Sequence, residues 1–332
     1  MEGGIPLWVW LIGYDPDVDL TLDWLLDGDP AVRWQTLRDL TDASPDQIAA
    51  ERARVSREGI GAAILSAQQD DGGWRRPGAP AWLTTLFTLQ LLRATGIDPA
   101  DPAVALAIAR LENNLQWNSP EGRWDLRSPE HGGNRFFDGE VEPCINGGVL
   151  ALGGYFGHPS LNLTRRLFCE QLPDGGWNCE APKSQRSSYH TTICVLEGLM
   201  ETERALGPGH SLASEIADAR QRAEEFLLER SLFRRLSTGE VADPSFLQFA
   251  FPPRYTYNVL RALDYFRDAG RAPEPRMREA LAVLETRRTT DGRFLLDGTH
   301  NESLAVPFPE SPGEPNRWIT LRARRVLRWA ER

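Results

Sequence analysis

The sequence has no hydrophobic run long enough to cross a membrane and no excess of positive charge. The longest apolar stretch, 5-IPLWVWLIGY-14, falls well short of the roughly 20 residues that a membrane-spanning helix needs. Lys and Arg number 37 against 47 Asp and Glu, which gives a net charge of −10. Because an acidic chain repels phosphate backbones, we expect no nucleic-acid partner. Because the longest apolar run is too short to cross a membrane, we also expect no transmembrane segment.

The N-terminus also lacks the basic segment that opens a signal peptide, since it reads Met1-Glu2-Gly3-Gly4. We therefore expect a cytoplasmic location with reduced thiols. The chain has only four cysteines. They lie close together in the sequence, and clustered thiols in a reducing compartment favour a metal site or catalysis over disulfides. Their positions are Cys144, Cys169, Cys179 and Cys194.

Glycine-rich turns that end in an aromatic residue recur about every 50 residues. They are 69-QDDGGW-74, 120-PEGRW-124, 173-PDGGW-177 and 290-TDGRF-294. Self-similarity at this period indicates a repeat architecture. Each turn is preceded and followed by a segment with apolar residues three and four positions apart, which predicts helices, whereas the alternation typical of strands is scarce.

The repeat therefore predicts a series of helix pairs. The predicted first helices cover 59–69, 103–116, 160–172, 212–232 and 277–288, and the second helices cover 81–96, 143–157, 189–203, 255–270 and 317–331. Residues 20–45 supply an atypical first pair without the glycine-rich turn, after an N-terminal arm over 1–19. The predicted fold class is all-α.

When the starts of the six second helices are aligned, two chemically active residues fall on the same position. The third residues of the starts are Trp34, Trp82, Cys144, His190, Thr256 and Trp318, and the fifth residues are Thr36, Thr84, Asn146, Thr192, Asn258 and Thr320. Cys144 and His190 thus hold equivalent places in successive pairs.

Six helix pairs form either an open solenoid or a closed ring. The small residues of 147-GGVLALGG-154 let neighbouring backbones approach closely, which favours an inner layer. We predict a closed α/α toroid, with about six helical hairpins in a double-layered ring around a central cavity, as a single domain over 1–332.

The turns that match the pattern QxxDGGW resemble the repeats of squalene–hopene cyclases and protein prenyltransferase β-subunits, which share an α/α toroid with an apolar central cavity. Residues 175–199 resemble the stretch of the prenyltransferases that carries a zinc-binding His in a Tyr-His-Thr sequence, and His190 falls on that position. Upstream, Glu142-Pro143-Cys144 stands where those enzymes have an Asp and a Cys two residues apart.

The chain departs from both families. Glu142 replaces the Asp, and the basic residues that hold a diphosphate in the prenyltransferases are reduced to Arg135, which Asp138 and Glu140 follow. The DxDD acid motif of the cyclases does not occur in the sequence. The prenyltransferases are heterodimers, but nothing in the sequence specifies a partner subunit. The resemblance in fold spans most of the chain, and the resemblance in zinc ligands spans about 135–199.

The resemblance implies a Zn²⁺ site with Cys144 and His190 as the catalytic ligands. Glu142 and Cys179 are the candidates for the remaining ligand. Three protein ligands with an open position make a catalytic zinc site, and four make a structural one. Cys144 at a helix N-terminus could also be a reactive thiolate without metal, or a plain wall residue. Cys169, on a first helix, is expected in the core.

Aromatic and basic residues near the helix starts are candidates for binding a substrate. They are Trp34, Trp82, Tyr189, Tyr255, Tyr257, Trp318, Arg135 and Arg254. Aromatic walls suit an apolar chain and stabilise carbocation character, although Trp at a repeated position also occurs for packing alone.

The favoured function is a zinc-dependent enzyme that transfers a prenyl or alkyl group to a thiol or similar nucleophile, with an isoprenoid-like apolar substrate in the cavity. The alternatives are a metal-independent terpenoid cyclase-like enzyme and a non-catalytic lipid-binding toroid. Because a fold hosts many functions, the reaction is an expectation that the site has to support.

Overall fold

The computed structural model describes residues 19–117, 133–299 and 301–331, and within these ranges it contains thirteen α-helices and no β-strand. The all-α prediction is therefore confirmed. The predicted arm up to residue 18 and the turn at 120–124 lie outside the described residues. No helix in the described ranges has the length and apolar character needed to cross a membrane.

The predicted helix pairs are present with nearly the predicted bounds. The first helices are α4 (Gly59–Ser66), α6 (Pro102–Asn114), α8 (Leu161–Glu170), α10 (Ala213–Leu228) and α12 (Arg278–Arg287). The second helices are α5 (Ala81–Ala94), α7 (Pro143–Phe156), α9 (Tyr189–Leu206), α11 (Val259–Asp268) and α13 (Arg317–Ala330). The atypical first pair is α1 (Leu20–Leu26) and α2 (Pro30–Leu40).

The helix α3 (Pro45–Arg52) was not predicted. Ser44 and Gln47 form a capping box, in which Ser44 Oγ accepts from the Gln47 amide at 3.3 Å and Gln47 Oε1 accepts from the Ser44 amide at 2.9 Å. Proline at the first helical position reinforces this start. No residue of α3 is buried, so the helix has no apolar stripe from which periodicity could reveal it.

The Gly-Gly-Trp turns fasten the two helices of a pair together. Trp74 and Trp177 are fully buried, and their indole N–H groups donate to the carbonyl oxygens of Ile64 and Leu167 on the first helices at 2.8 and 2.7 Å. Their backbone amides donate to threonine hydroxyls on the second helices, at 2.9 Å for Trp74 and 3.1 Å for Trp177. The two tryptophans therefore act as staples, as the sequence predicts.

The threonines that accept hydrogen bonds from these amides show that the sequence alignment of the repeats needs a correction. They are Thr85 and Thr192, so Thr85 rather than the predicted Thr84 is the structural equivalent of Thr192. Trp82 consequently corresponds to Tyr189 and not to His190. The number of residues between the tryptophan and the threonine differs between the two repeats. The sequences alone therefore did not show that the second helix of one repeat had been aligned one residue out of register.

Glutamines link each turn to the following pair. Gln68 Nε2 donates to the carbonyl oxygen of Ala107 on α6 at 2.8 Å, and Gln171 Nε2 donates to that of Ala219 on α10 at 2.9 Å. Each glutamine also donates to a glycine carbonyl of its own turn. These bonds repeat the same joint between successive pairs, and they explain why the pattern begins with Gln.

Several of the second helices contact the next second helix along the chain. Helix α5 packs on α7, α7 on α9, and α11 on α13, while α13 also contacts α2. Arg325 on α13 donates from Nε to Asp264 on α11 at 2.7 Å and from Nη1 to Asp39 on α2 at 3.3 Å. The last helix of the chain is thereby joined to the first pair.

We expect Thr85→Val to lower the free energy of unfolding by about 1–3 kcal/mol, because it leaves the buried Trp74 amide without an acceptor. Thr84→Val is the matched control, since Thr84 Oγ1 is buried and has no hydrogen-bond partner among the described residues. We expect it to be neutral or slightly stabilising. Urea denaturation of both variants tests this, and equal losses would contradict the role of the turn.

Candidate metal centre

Three side chains, two at the start of α7 and one in the turn before α9, bring metal-binding atoms together. A carboxylate oxygen of Glu142 and the sulfurs of Cys144 and Cys179 all lie within 4.8 Å of one another. Cys144 Sγ is 3.8 Å from Glu142 Oε2. Among the described residues this is the one group of at least three such atoms that could hold a metal ion.

The start of α7 presents Glu142 and Cys144. Glu142 is the N-cap residue, but its side chain makes no capping hydrogen bond and is free to turn toward the sulfurs. Pro143 occupies the first helical position, where its missing N–H costs nothing. Asn146 fixes the segment that precedes α7, because its Oδ1 accepts a hydrogen bond from the Glu140 amide at 2.7 Å and its Nδ2 donates one to the Glu140 carbonyl oxygen at 3.1 Å.

The turn before α9 supplies Cys179. This residue follows the buried Trp177, and its sulfur lies 3.4 Å from Thr191 Oγ1 in the first turn of α9. Helices α7 and α9 pack closely, so the thiol of Cys179 reaches that of Cys144. The two candidates between which the sequence could not choose, Glu142 and Cys179, are therefore both part of the group.

The proton of one thiol of the group is hydrogen-bonded to the other thiol. The hydrogen bond between them, together with burial, raises the pKa of the Cys144 thiol well above its ordinary value, and the same bond lowers the pKa of the Cys179 thiol. Only one thiolate forms readily while this proton stays in place. Metal binding requires deprotonated thiols, so a bound cation would release the proton.

The structure places His190 outside the group. Its Nδ1 accepts a hydrogen bond from the Tyr257 amide at 2.8 Å, and its ring meets the edge of Phe246 with centroids 5.4 Å apart. Burial first, and then the charge of Arg261, lower the pKa of the imidazole. A metal-bound His normally donates its other N–H to an acceptor. Here Nδ1 faces a donor, so neutral His190 carries its proton on Nε2.

An apolar pocket of about 290 Å³ adjoins the metal-binding group. Glu142 and Cys144 form part of its wall, and the predicted substrate residues Trp82 and Tyr255 line it as well. The sequence did not single out the other apolar residues of its lining, although they belong to the apolar first turns of α5 and α7. They are Leu83, Leu86, Phe87 and Ile145.

Three of the predicted substrate residues pack against other parts of the fold and do not line this pocket. The Tyr189 hydroxyl donates to the Arg234 carbonyl at 2.5 Å, and the fully buried Tyr257 donates to the Leu232 carbonyl. Trp318 stacks on Phe251 with centroids 4.7 Å apart. These rings are structural.

The remaining candidates lie away from the cysteines. Trp34 and Arg254 line a second, larger cavity of about 860 Å³, whose walls combine apolar residues with many charged ones. Arg135 is exposed and belongs to neither cavity. Cys194 is buried, and burial raises the pKa of its thiol to about 11. Cys169 is exposed, so its predicted core position is wrong: it lies on the outward face of α8.

No family model matches the chain, and no curated protein or solved structure matches it. What is known of the site therefore comes from its own geometry: two thiols and a carboxylate gathered at one edge of an apolar pocket. The likeness to cyclases and prenyltransferases stays a prediction made from the motifs.

We expect the chain to lose stability as the pH falls below about 6.5, because the unfolded state then binds a proton at His190 that the folded state, with its lowered pKa, resists. His190→Gln should show a smaller loss between about pH 7.5 and about pH 5.5, since glutamine does not titrate. Urea midpoints measured across this range check the difference, and identical pH profiles would rule it out.

Proposed function

We propose that the helix pairs close into an α/α toroid. The ordered contacts among the second helices and the contact of α13 with α2 support closure. The bonds from Arg325 to Asp264 and Asp39 support it further, because they join the last two second helices to the first. In an open solenoid the first and last repeats have no such contact.

The metal we propose is zinc, held by Glu142, Cys144 and Cys179. Two thiolates and one carboxylate suit zinc, whereas magnesium and calcium take oxygen ligands alone. Three protein ligands leave the fourth position of a tetrahedral ion for a substrate. His190 is not one of the ligands in this proposal, because its Nδ1 is engaged by the Tyr257 amide.

The proposed function is transfer of an isoprenoid-like alkyl group to a thiol. The observation that carries it is that Glu142 and Cys144 belong both to the metal-binding group and to the wall of the apolar pocket. An apolar chain in this pocket has its end beside the proposed metal. At about 290 Å³, the pocket is at the lower end of small-molecule sites, which favours a short chain.

The residues of the pocket bind and orient the alkyl donor. Leu83, Leu86 and Ile145 exclude water, and the rings of Trp82 and Tyr255 stabilise positive charge on the carbon that loses its leaving group. When bound, zinc lowers the pKa of a substrate thiol, so that the nucleophile is a thiolate near neutral pH. The thiol loses its proton to solvent, its sulfur bonds to the carbon as the carbon–oxygen bond of the donor breaks, and a diphosphate departs with the electron pair of that bond.

We expect the purified protein to contain one zinc ion per chain, and Cys144→Ala and Cys179→Ala to lose it. The loss of zinc affinity should exceed the roughly 10–100-fold that removal of an outer-shell partner causes. Cys169→Ala is the matched control, since this exposed cysteine is not part of the group. Elemental analysis and competition with a chromogenic chelator measure both quantities.

In the same experiment, His190→Gln distinguishes the ligand set proposed from the structure from the ligand set that the resemblance implies. Retained zinc supports the set Glu142, Cys144 and Cys179. Zinc lost in the His190 and Cys144 variants, and kept in the Cys179 variant, would restore the ligand set that the resemblance implies.

We expect Tyr255→Ala to raise the KM for a short prenyl diphosphate about tenfold when an organic thiol is the acceptor, because the variant loses an aromatic wall of the pocket. Tyr255 is half exposed, so the fold tolerates the change. Leu236→Ala, at another exposed apolar residue outside the pocket, is the control. Mass spectrometry of the thioether product gives the rates.

Two further measurements distinguish the proposed function from the alternatives. Cyclisation of a polyene by chelator-treated protein would favour a metal-independent cyclase over alkyl transfer. Co-purified lipid with no product, from protein that contains zinc, would favour a binding function.

A further inference from the structure

The larger cavity is built from a different part of the helices than the metal-binding group. Its walls come from α3 and mainly from the middle and last turns of α2, α5, α9, α11 and α13, whereas Glu142, Cys144 and Cys179 lie at or before the starts of α7 and α9. With a volume of about 860 Å³, it is within the range of sites that bind small molecules. Nothing in the proposed alkyl transfer uses it.

The walls of this cavity are positively charged, although the chain as a whole is acidic. Nine arginines and six carboxylates line it, an excess of three positive charges in a chain of net charge −10. A cleft with an excess of one sign of charge and low-dielectric walls concentrates ligands of the opposite sign. The cavity therefore favours an anion.

The buried carboxylates of the cavity already have arginine partners. Glu197 Oε1 and Oε2 accept from Arg261 at 2.7 and 3.0 Å. Asp264 accepts from Arg325 through both oxygens and from Arg267 at 3.1 Å. Within each pair the two charges neutralise each other, so the excess positive charge belongs to the other arginines of the cavity.

Arg322 on α13 is the largely buried cavity arginine with the fewest partners among the described residues. Its side chain is 17% exposed, and its one ion pair is a contact of 3.8 Å with Asp264, whose oxygens Arg325 already occupies. The guanidinium lies over the Phe251 ring at 4.9 Å and makes no hydrogen bond to a described residue. Burial, which outweighs the attraction of Asp264, lowers its pKa to about 10, so it is charged at neutral pH. The N–H donors of Arg322 are thus at the wall of the cavity, with no hydrogen-bond acceptor among the described residues.

We propose that this cavity binds a small oxyanion, a carboxylate or a phosphate, with the Arg322 guanidinium as its principal donor. The planar fork of arginine matches both groups in a bidentate manner. Arg38 and Arg204, with side chains 41% and 48% exposed, are the cavity arginines open to solvent and attract the anion to it. This site does not depend on the zinc proposal, because none of the three proposed ligands lines the cavity.

The test is titration of the protein with inorganic phosphate and, separately, with succinate at constant ionic strength. Trp34 lines the cavity, so intrinsic fluorescence reports binding, and isothermal titration calorimetry gives the affinity. We expect saturable binding of at least one anion. The anion that binds more tightly identifies the ligand class as phosphate or dicarboxylate. Cys144→Ala should bind it as the wild type does.

Arg322→Met should weaken binding by about tenfold or more, which is typical for loss of a charged hydrogen-bond partner. Its stability should be unchanged or higher, because the variant removes a buried charge that has no hydrogen bond. Arg325→Met is the contrasting variant, since it breaks the bidentate pair with Asp264 and should destabilise the fold. Arg276→Met, an exposed arginine outside the cavity, controls for general charge and should bind normally.

Arg322→Lys keeps the charge without the fork and should bind with intermediate affinity, which provides a second test if the Met variant does not fold. Absence of saturable binding of both anions to the wild type would overturn the proposal. So would an Arg322→Met or Arg322→Lys protein that binds as tightly as the wild type.

Discussion

The close contact between helices α7 and α9 is the constraint on which the candidate site depends. A Cβ atom on Gly147 would lie 2.5 Å from the carbonyl carbon of Cys194, and one on Gly154 would lie 2.6 Å from that of Glu201, both far inside contact distance. Only glycine permits this backbone approach. It brings the start of α7, with its cysteine, next to the turn that precedes α9 and carries Cys179.

A second constraint is the network of buried ion pairs that joins the helices at a distance from the cysteines. Arg93 on α5 pairs with Glu201 on α9 at 3.2 Å, and Arg325 on α13 pairs with Asp264 on α11 and Asp39 on α2. Buried charges are costly to desolvate, and removal of one partner typically costs about 3–5 kcal/mol. The network therefore penalises any arrangement in which these helices separate, and it fixes their relative positions more than it adds stability.

Helices with a regular apolar stripe were predictable from the sequence, and most of the fold followed from them. Helix α3 was missed because it has no buried face, although its capping box at Ser44 was readable. The charged cavity was missed because its arginines and carboxylates are distant in sequence, and each resembles a solvent-exposed residue on an amphipathic helix. Arg322 on α13 is an example: only the fold shows that it lines a cavity.

The candidate site was predictable in part. The pairing of Cys144 with Glu142 follows from two positions at one helix start, and the structure adds Cys179 to them. The surroundings of His190 depend on the amide of Tyr257, which is 67 residues away in the sequence. No local sequence pattern can reveal such a contact. The choice between His190, which the motif favours as a ligand, and Cys179, which the geometry favours, therefore required the three-dimensional structure.

The measurement that tests the proposed ligand set most directly is X-ray absorption spectroscopy at the zinc edge of the purified protein. The proposal predicts two sulfur ligands at about 2.3 Å and lighter oxygen or nitrogen ligands at about 2.0–2.2 Å. A spectrum with no sulfur ligand, or with the imidazole scattering of a coordinated histidine and a single sulfur, would contradict it.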